Sequence, residues 1–155
     1  MRTKIFLTGI FIVCSAFLLN AYSQTSSRGN IHVNGGGTAI EGGARSTFVF
    51  NAVQNESGIT GHLVYHLRVA DIRFFMDIDC MEIRGNRATL SGTVTDIAGS
   101  NIPGYIFPGS RASFTIEDNG NGRNRDRISD VTFGARCIDD LDTYIRLQGN
   151  ISIKE

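Results

Sequence analysis

The stretch Ile72-Arg73-Phe74-Phe75-Met76-Asp77-Ile78-Asp79-Cys80-Met81-Glu82-Ile83-Arg84-Gly85-Asn86-Arg87-Ala88-Thr89-Leu90-Ser91-Gly92-Thr93-Val94-Thr95-Asp96 decides the fold. In its second arm, Ala88, Leu90, Gly92 and Val94 alternate with Thr89, Ser91, Thr93 and Thr95. Successive strand side chains point to opposite faces, so the pattern predicts one apolar face and one hydroxylated, solvated face. In the first arm Phe74, Met76, Ile78 and Cys80 share a face, and Phe75, Asp77, Asp79 and Met81 share the other. Gly85-Asn86 lies between the arms, and both residues tolerate the positive φ of a tight turn. The whole stretch reads as one long antiparallel hairpin.

Similar signals extend in both directions. Ile31-His32-Val33 predicts a short first strand. The run Asn34 to Gly43 is so rich in glycine that it reads as a flexible or bulged connection; no Gly-Lys-Ser/Thr follows it, so it is no phosphate loop. Ser46 to Val53 predicts a strand with Phe48, Phe50 and Ala52 on one face, and Asn55-Glu56-Ser57-Gly58 its turn. His62 to Val69 is the return strand, and Ala70-Asp71 turns the chain into the central hairpin. Beyond it lie a loop from Ile97 to Gly109, strands at Arg111 to Glu117 and Ile128 to Phe133, an acidic connection from Cys137 to Asp142, and a closing strand from Tyr144 to Ile153. No segment carries a 3.6-residue apolar stripe. About eight short strands with short links predict an all-β antiparallel meander closed into a small barrel, with a two-sheet sandwich as the alternative.

The first residues read differently. Met1-Arg2-Thr3-Lys4 is basic, Ile5 to Leu19 is almost wholly apolar, and Ala21-Tyr22-Ser23 offers small residues where a signal peptidase reads. The apolar run is shorter than the roughly 20 residues that span a bilayer. Residues 1–23 are therefore expected to be a cleavable signal peptide, leaving 24–155 as a single domain that is secreted or periplasmic, with no membrane span after cleavage. Losing Arg2 and Lys4 takes the formal charge from 0 to −2. Without a basic field, nucleic acid is not an expected partner. Cys14 leaves with the leader, and Cys80 and Cys137 are expected to form a disulfide in an oxidising compartment. The chain-entropy model rates the loop they close at about 4 kcal/mol.

Candidate chemistry is sparse. Asp118-Asn119-Gly120-Asn121-Gly122-Arg123-Asn124-Arg125-Asp126 concentrates oxygen-bearing side chains among glycines, the composition that suits Ca²⁺. Asp118, Asn119, Asn121 and Asp126 are the candidate ligands, although the twelve-residue EF-hand spacing fails; a plain turn is the competing reading. Arg123, Arg125 and Arg127 alternate, a spacing that would let an extended segment grip an anionic glycan or carboxylate, although a solvated loop is the reading the pattern favours. Asp77 and Asp79 fall on one strand face about 7 Å apart, within the range of an inverting glycosidase pair. His62 and His66 lie too far apart along a strand to share a metal ion. Tyr105 and Phe107, between Pro103 and Pro108, are either an exposed tip for a ligand or partner, or a plug folded over the barrel end.

Several motifs together resemble the post-COAP domain, a type of exported bacterial β-module. They are Phe48-Val49-Phe50-Asn51-Ala52, Gly61-His62-Leu63-Val64-Tyr65, Cys80 to Ala88, Glu117-Asp118-Asn119-Gly120, Asp126 with Ile128-Ser129, Cys137, and Gly149-Asn150-Ile151. The resemblance implies a β-module of the kind attached to larger surface or carbohydrate-acting proteins, and it brings no catalytic residues with it. The expectation is a small exported, non-enzymatic module that binds a glycan or an envelope partner, with calcium as its one candidate cofactor. The alternatives are a glycoside-type hydrolase using Asp77 and Asp79, and a lipid or small-molecule carrier with a hollow barrel.

Overall fold

The computed structural model describes residues 29–41, 43–120 and 124–154. The expected signal peptide at 1–23, the candidate ligand Asn121 and Arg123 of the arginine alternation lie outside them. The elements are β1 (Ile31–Glu41), β2 (Ala44–Asn55), β3 (Gly58–Leu67), β4 (Ile72–Arg84), β5 (Arg87–Ala98), β6 (Arg111–Glu117), β7 (Arg127–Ile128), β8 (Thr132–Phe133) and β9 (Ile145–Lys154). Among the described residues there is no helix.

Every pairing is antiparallel. Sequential strands pair from β1 to β6, β6 pairs β7, β7 pairs β9, and β9 returns to β1. Eight strands thus close into a barrel, which removes the free edges an open sheet would leave. The ninth, β8, pairs only with β6. The predicted strand from Ile128 to Phe133 is broken between β7 and β8. The break has a local cause: the Ser129 N–H still donates to the Thr115 carbonyl at 2.9 Å, but the return bond goes to the Ser129 hydroxyl, which accepts the Thr115 N–H at 2.8 Å and donates to the Asp130 carbonyl at 2.8 Å.

The interior is filled. Phe48, Phe74, Phe114, Leu63, Met76, Leu90, Ile116, Ile128 and Leu147 are all less than 2% exposed. Each contributes about 2 kcal/mol through burial. Phe50 of β2 meets Phe114 of β6 across the barrel, ring centroids 5.4 Å apart in an edge-to-face arrangement.

Two expectations need correcting. The glycine run is not a loose connection; it is the middle of β1, paired on both sides. A Cβ on Gly37 would stand 2.6 Å from the Gln148 carbonyl oxygen, and one on Gly149 would collide with the Gly36 carbonyl. The backbones of β1 and β9 approach so closely here that only glycine fits. The hydroxyl face of β5 is solvated only at its far end, where Thr93 is half-buried and Thr95 exposed. Thr89 and Ser91 are buried with Ser113 and Thr115 of β6. A strap, residues 134–144, lies over them. The Cys80–Cys137 disulfide fixes it, the Leu141 N–H donates to Thr115 Oγ1 at 3.1 Å, and Arg87 donates to the Leu141 carbonyl at 2.8 Å.

The central hairpin also carries two bulges, between Phe75 and Met76 and between Ile78 and Cys80. The second makes Asp79 an extra residue and shifts the inward series from Ile78 to Met81, so Cys80 faces outward toward the strap.

Candidate functional site

On the outer wall, one row of side chains crosses four strands. Arg87 of β5 is opposite Glu117 of β6, Glu117 is opposite Arg127 of β7, and Arg127 is opposite Arg146 of β9. All four point outward, because their neighbours Ala88, Ile116, Ile128, Ile145 and Leu147 fill the core. Directly opposed strand residues hold their Cβ atoms about 5 Å apart, and like charges there repel. Glu117 relieves one such conflict: Arg87 approaches it at 3.7 Å and also reaches Asp140 at 2.8 Å. Arg127 and Arg146 have no acid between them.

These arginines line a cleft of about 580 Å³ with Arg125, Glu117, Asn119 and Asn124. Arg125, Arg127 and Arg146 are exposed, and none of the three forms an ion pair among the described residues. Glu117 is the cleft's one carboxylate. The Thr143 hydroxyl, donating to Oε2 at 2.6 Å, is the main cause holding its carboxyl below the ordinary value of 4.5; partial burial opposes this, and Asn119, Arg87 and Arg127 add to the lowering. The cleft therefore offers three guanidinium groups against one ionised carboxylate. A guanidinium presents its donors as a planar fork that suits a carboxylate or phosphate.

The candidate calcium loop is engaged in building the barrel. Asp126 is fully buried: Oδ1 accepts the Asn119 N–H at 3.0 Å and Oδ2 the Ile151 N–H at 2.7 Å. Asp118 accepts the Gly120 N–H at 2.9 Å and the Ile153 N–H at 3.1 Å. The Asp126 carbonyl takes the Leu147 N–H at 2.9 Å. Strand β7 is too short to cover β9, and these two aspartates satisfy the donors it leaves open. Asn119 is held between Asn86 and the Arg125 carbonyl. Among the described residues no group of three or more His, Cys, Asp or Glu side chains could hold a metal ion.

Asp77 and Asp79 have separate partners. Asp77 pairs with His62 at 2.9 Å, both exposed, while Asp79 on its bulge receives a bidentate pair from Arg111 at 2.6 and 2.8 Å. His66 turns instead to Asp71, at 3.5 Å. In the 97–110 loop, Tyr105 and Phe107 are 63% and 53% exposed, while Ile106 between them is buried. The loop combines both readings, with an inward plug at Ile106 and aromatic rings outside. Tyr105 also packs edge-on against Phe133, centroids 5.7 Å apart. The disulfide joins Cys80 and Cys137 as expected.

Arg125 and Arg127 were legible through their alternation. Arg146 was not, since only the β7–β9 register brings it to them. Comparison of the chain with family models, with curated proteins and with solved structures returned no match.

Proposed function

We propose that this protein is a small exported, non-enzymatic binding module whose ligand face is the Arg125–Arg127–Arg146 cleft, and that the ligand is an anionic glycan. The observation that carries the reading is the Arg127–Arg146 cross-strand pair, two like charges directly opposed in a polar cleft whose one carboxylate, Glu117, lies on the far side of Arg127. A bound carboxylate would sit between the two forks and replace repulsion with charge-assisted hydrogen bonds of about 2 kcal/mol each. Binding rather than hydrolysis fits the rest of the site, because Asp77 and Asp79 are each committed to a basic partner on another part of the wall. An exported setting agrees with the leader, with the cysteine pair and with the resemblance to exported β-modules. The test is calorimetric titration of the purified protein with polygalacturonate, with dextran as the neutral control. Binding of the polyanion alone, weakened about tenfold or more in the Arg127→Gln/Arg146→Gln variant, is expected. Equal affinity of variant and wild type would remove the cleft as the ligand face.

A further inference from the structure

Beside the arginine cleft lies a second hollow of about 640 Å³, lined by Asn124, Gln148, Gly149 and Asn150. Asn124 lines both spaces. Arg146, Gln148 and Asn150 are successive outward residues of β9, each exposed, because Ile145, Leu147 and Ile151 point into the core. Two-residue steps along a strand place them at intervals of about 7 Å, so the three mark a straight track of about 14 Å.

Between Gln148 and Asn150 the chain is packed closely against β1: a Cβ on Gly149 would collide with the Gly36 carbonyl. In an antiparallel strand the N–H groups of alternate residues face the same edge. The Leu147, Ile151 and Ile153 N–H groups face the edge held by Asp126 and Asp118. By the same alternation the Gly149 N–H faces that edge, and Gly149 lines the second hollow with Asn124 and Asn150.

The geometry points to a continuous groove that takes an extended carboxylated glycan chain, its acid groups at Arg127 and Arg146 and the hydroxyls of its next units at Gln148, Asn150 and Asn124. This rests on the anion-binding reading of the same cleft. Side-chain amides and a backbone N–H match the mixed donors and acceptors of sugar hydroxyls, and a second set of contacts on one chain raises affinity through effective concentration. A monomeric uronate would reach the arginine end alone.

The experiment compares galacturonate with hexagalacturonate on the wild type, on Gln148→Ala/Asn150→Ala and on Arg127→Gln/Arg146→Gln, in chelator, with melting curves to show that each variant is folded. The expected result is that the hexamer binds the wild type at least tenfold more tightly than the monomer, and that the amide variant loses most of this gain without weakening monomer binding. Hexamer binding no tighter than monomer binding, or unchanged in the amide variant, overturns the groove while leaving the cleft standing if the arginine variant still weakens both ligands. Indifference of both ligands to the arginine variant, or no binding of either, overturns the cleft reading and the groove with it.

Discussion

Asp126 shows how one side chain can take the place of a strand. Its two carboxylate oxygens and its carbonyl accept N–H groups from Asn119, Ile151 and Leu147, and the side chain is cut off from solvent. Hydrogen bonds to a charged acceptor contribute about 1.5–3 kcal/mol each, and an orphaned buried donor costs more than its lost bond. Asp126→Ala should therefore destabilise the fold by about 3 kcal/mol or more, read as a lowered urea midpoint. Asp126→Asn, which keeps one acceptor oxygen, should fall in between; an Ala variant as stable as wild type would show that water replaces the carboxylate. Glu117 contributes differently. Its carboxyl is depressed in the folded state, so its contribution is present above its ordinary value of 4.5 and is lost as pH falls through the lower folded value. The stability difference between wild type and Glu117→Gln should shrink as pH drops from 6 into the region below 4.5, as measured by urea unfolding at each pH. A difference that does not change with pH would mean that Thr143 and the arginines do not favour the charged form.

At the scale of elements, what the sequence revealed depended on how local the cause was. The period-two arms of the central hairpin and the β6 series Ala112, Phe114 and Ile116 could be read directly, because strand alternation is written into neighbouring residues. Gly35 to Gly37 defeated the same reading. Glycine normally weakens a strand, and here Gly35 and Gly37 meet the backbone of β9, more than a hundred residues away in sequence. Thr89 and Ser91 misled for a related reason. Their polarity looks like solvent exposure, but Thr89 and Thr115 hydrogen-bond to each other at 2.9 Å and Ser91 is satisfied by Arg111, all beneath the strap. The strap is a coil with few apolar anchors, so the disulfide must hold it. The Cys80→Ser/Cys137→Ser variant should lose about 4 kcal/mol if denatured-state entropy governs the effect, and amide hydrogen exchange should rise first in β5 and β6, where the hydroxyl face is uncovered. Exchange that rises uniformly over the barrel would show that the strap is not a separate cover.

The arginine face lies on the outer surface of the molecule, while Phe50 and Phe114 meet across its interior. Overall charge cannot gather an anion, since basic and acidic side chains balance over the sequence. Attraction must arise from the local surplus at Arg125, Arg127 and Arg146, three guanidinium groups against the single carboxylate of Glu117, which Arg87 also approaches. Such a field reaches about one Debye length, roughly 10 Å at 0.1 M salt and 3 Å at 1 M. A long polyanion feels it along several repeats, so its binding should depend on salt more steeply than that of a single uronate. We expect hexagalacturonate affinity to fall about tenfold or more between roughly 0.05 M and 0.5 M sodium chloride, and to fall much less in Arg127→Gln/Arg146→Gln, with calorimetry at each salt concentration as the measurement. If the two proteins show the same salt slope, the attraction comes from scattered surface arginines and not from the row that β5, β6, β7 and β9 bring together.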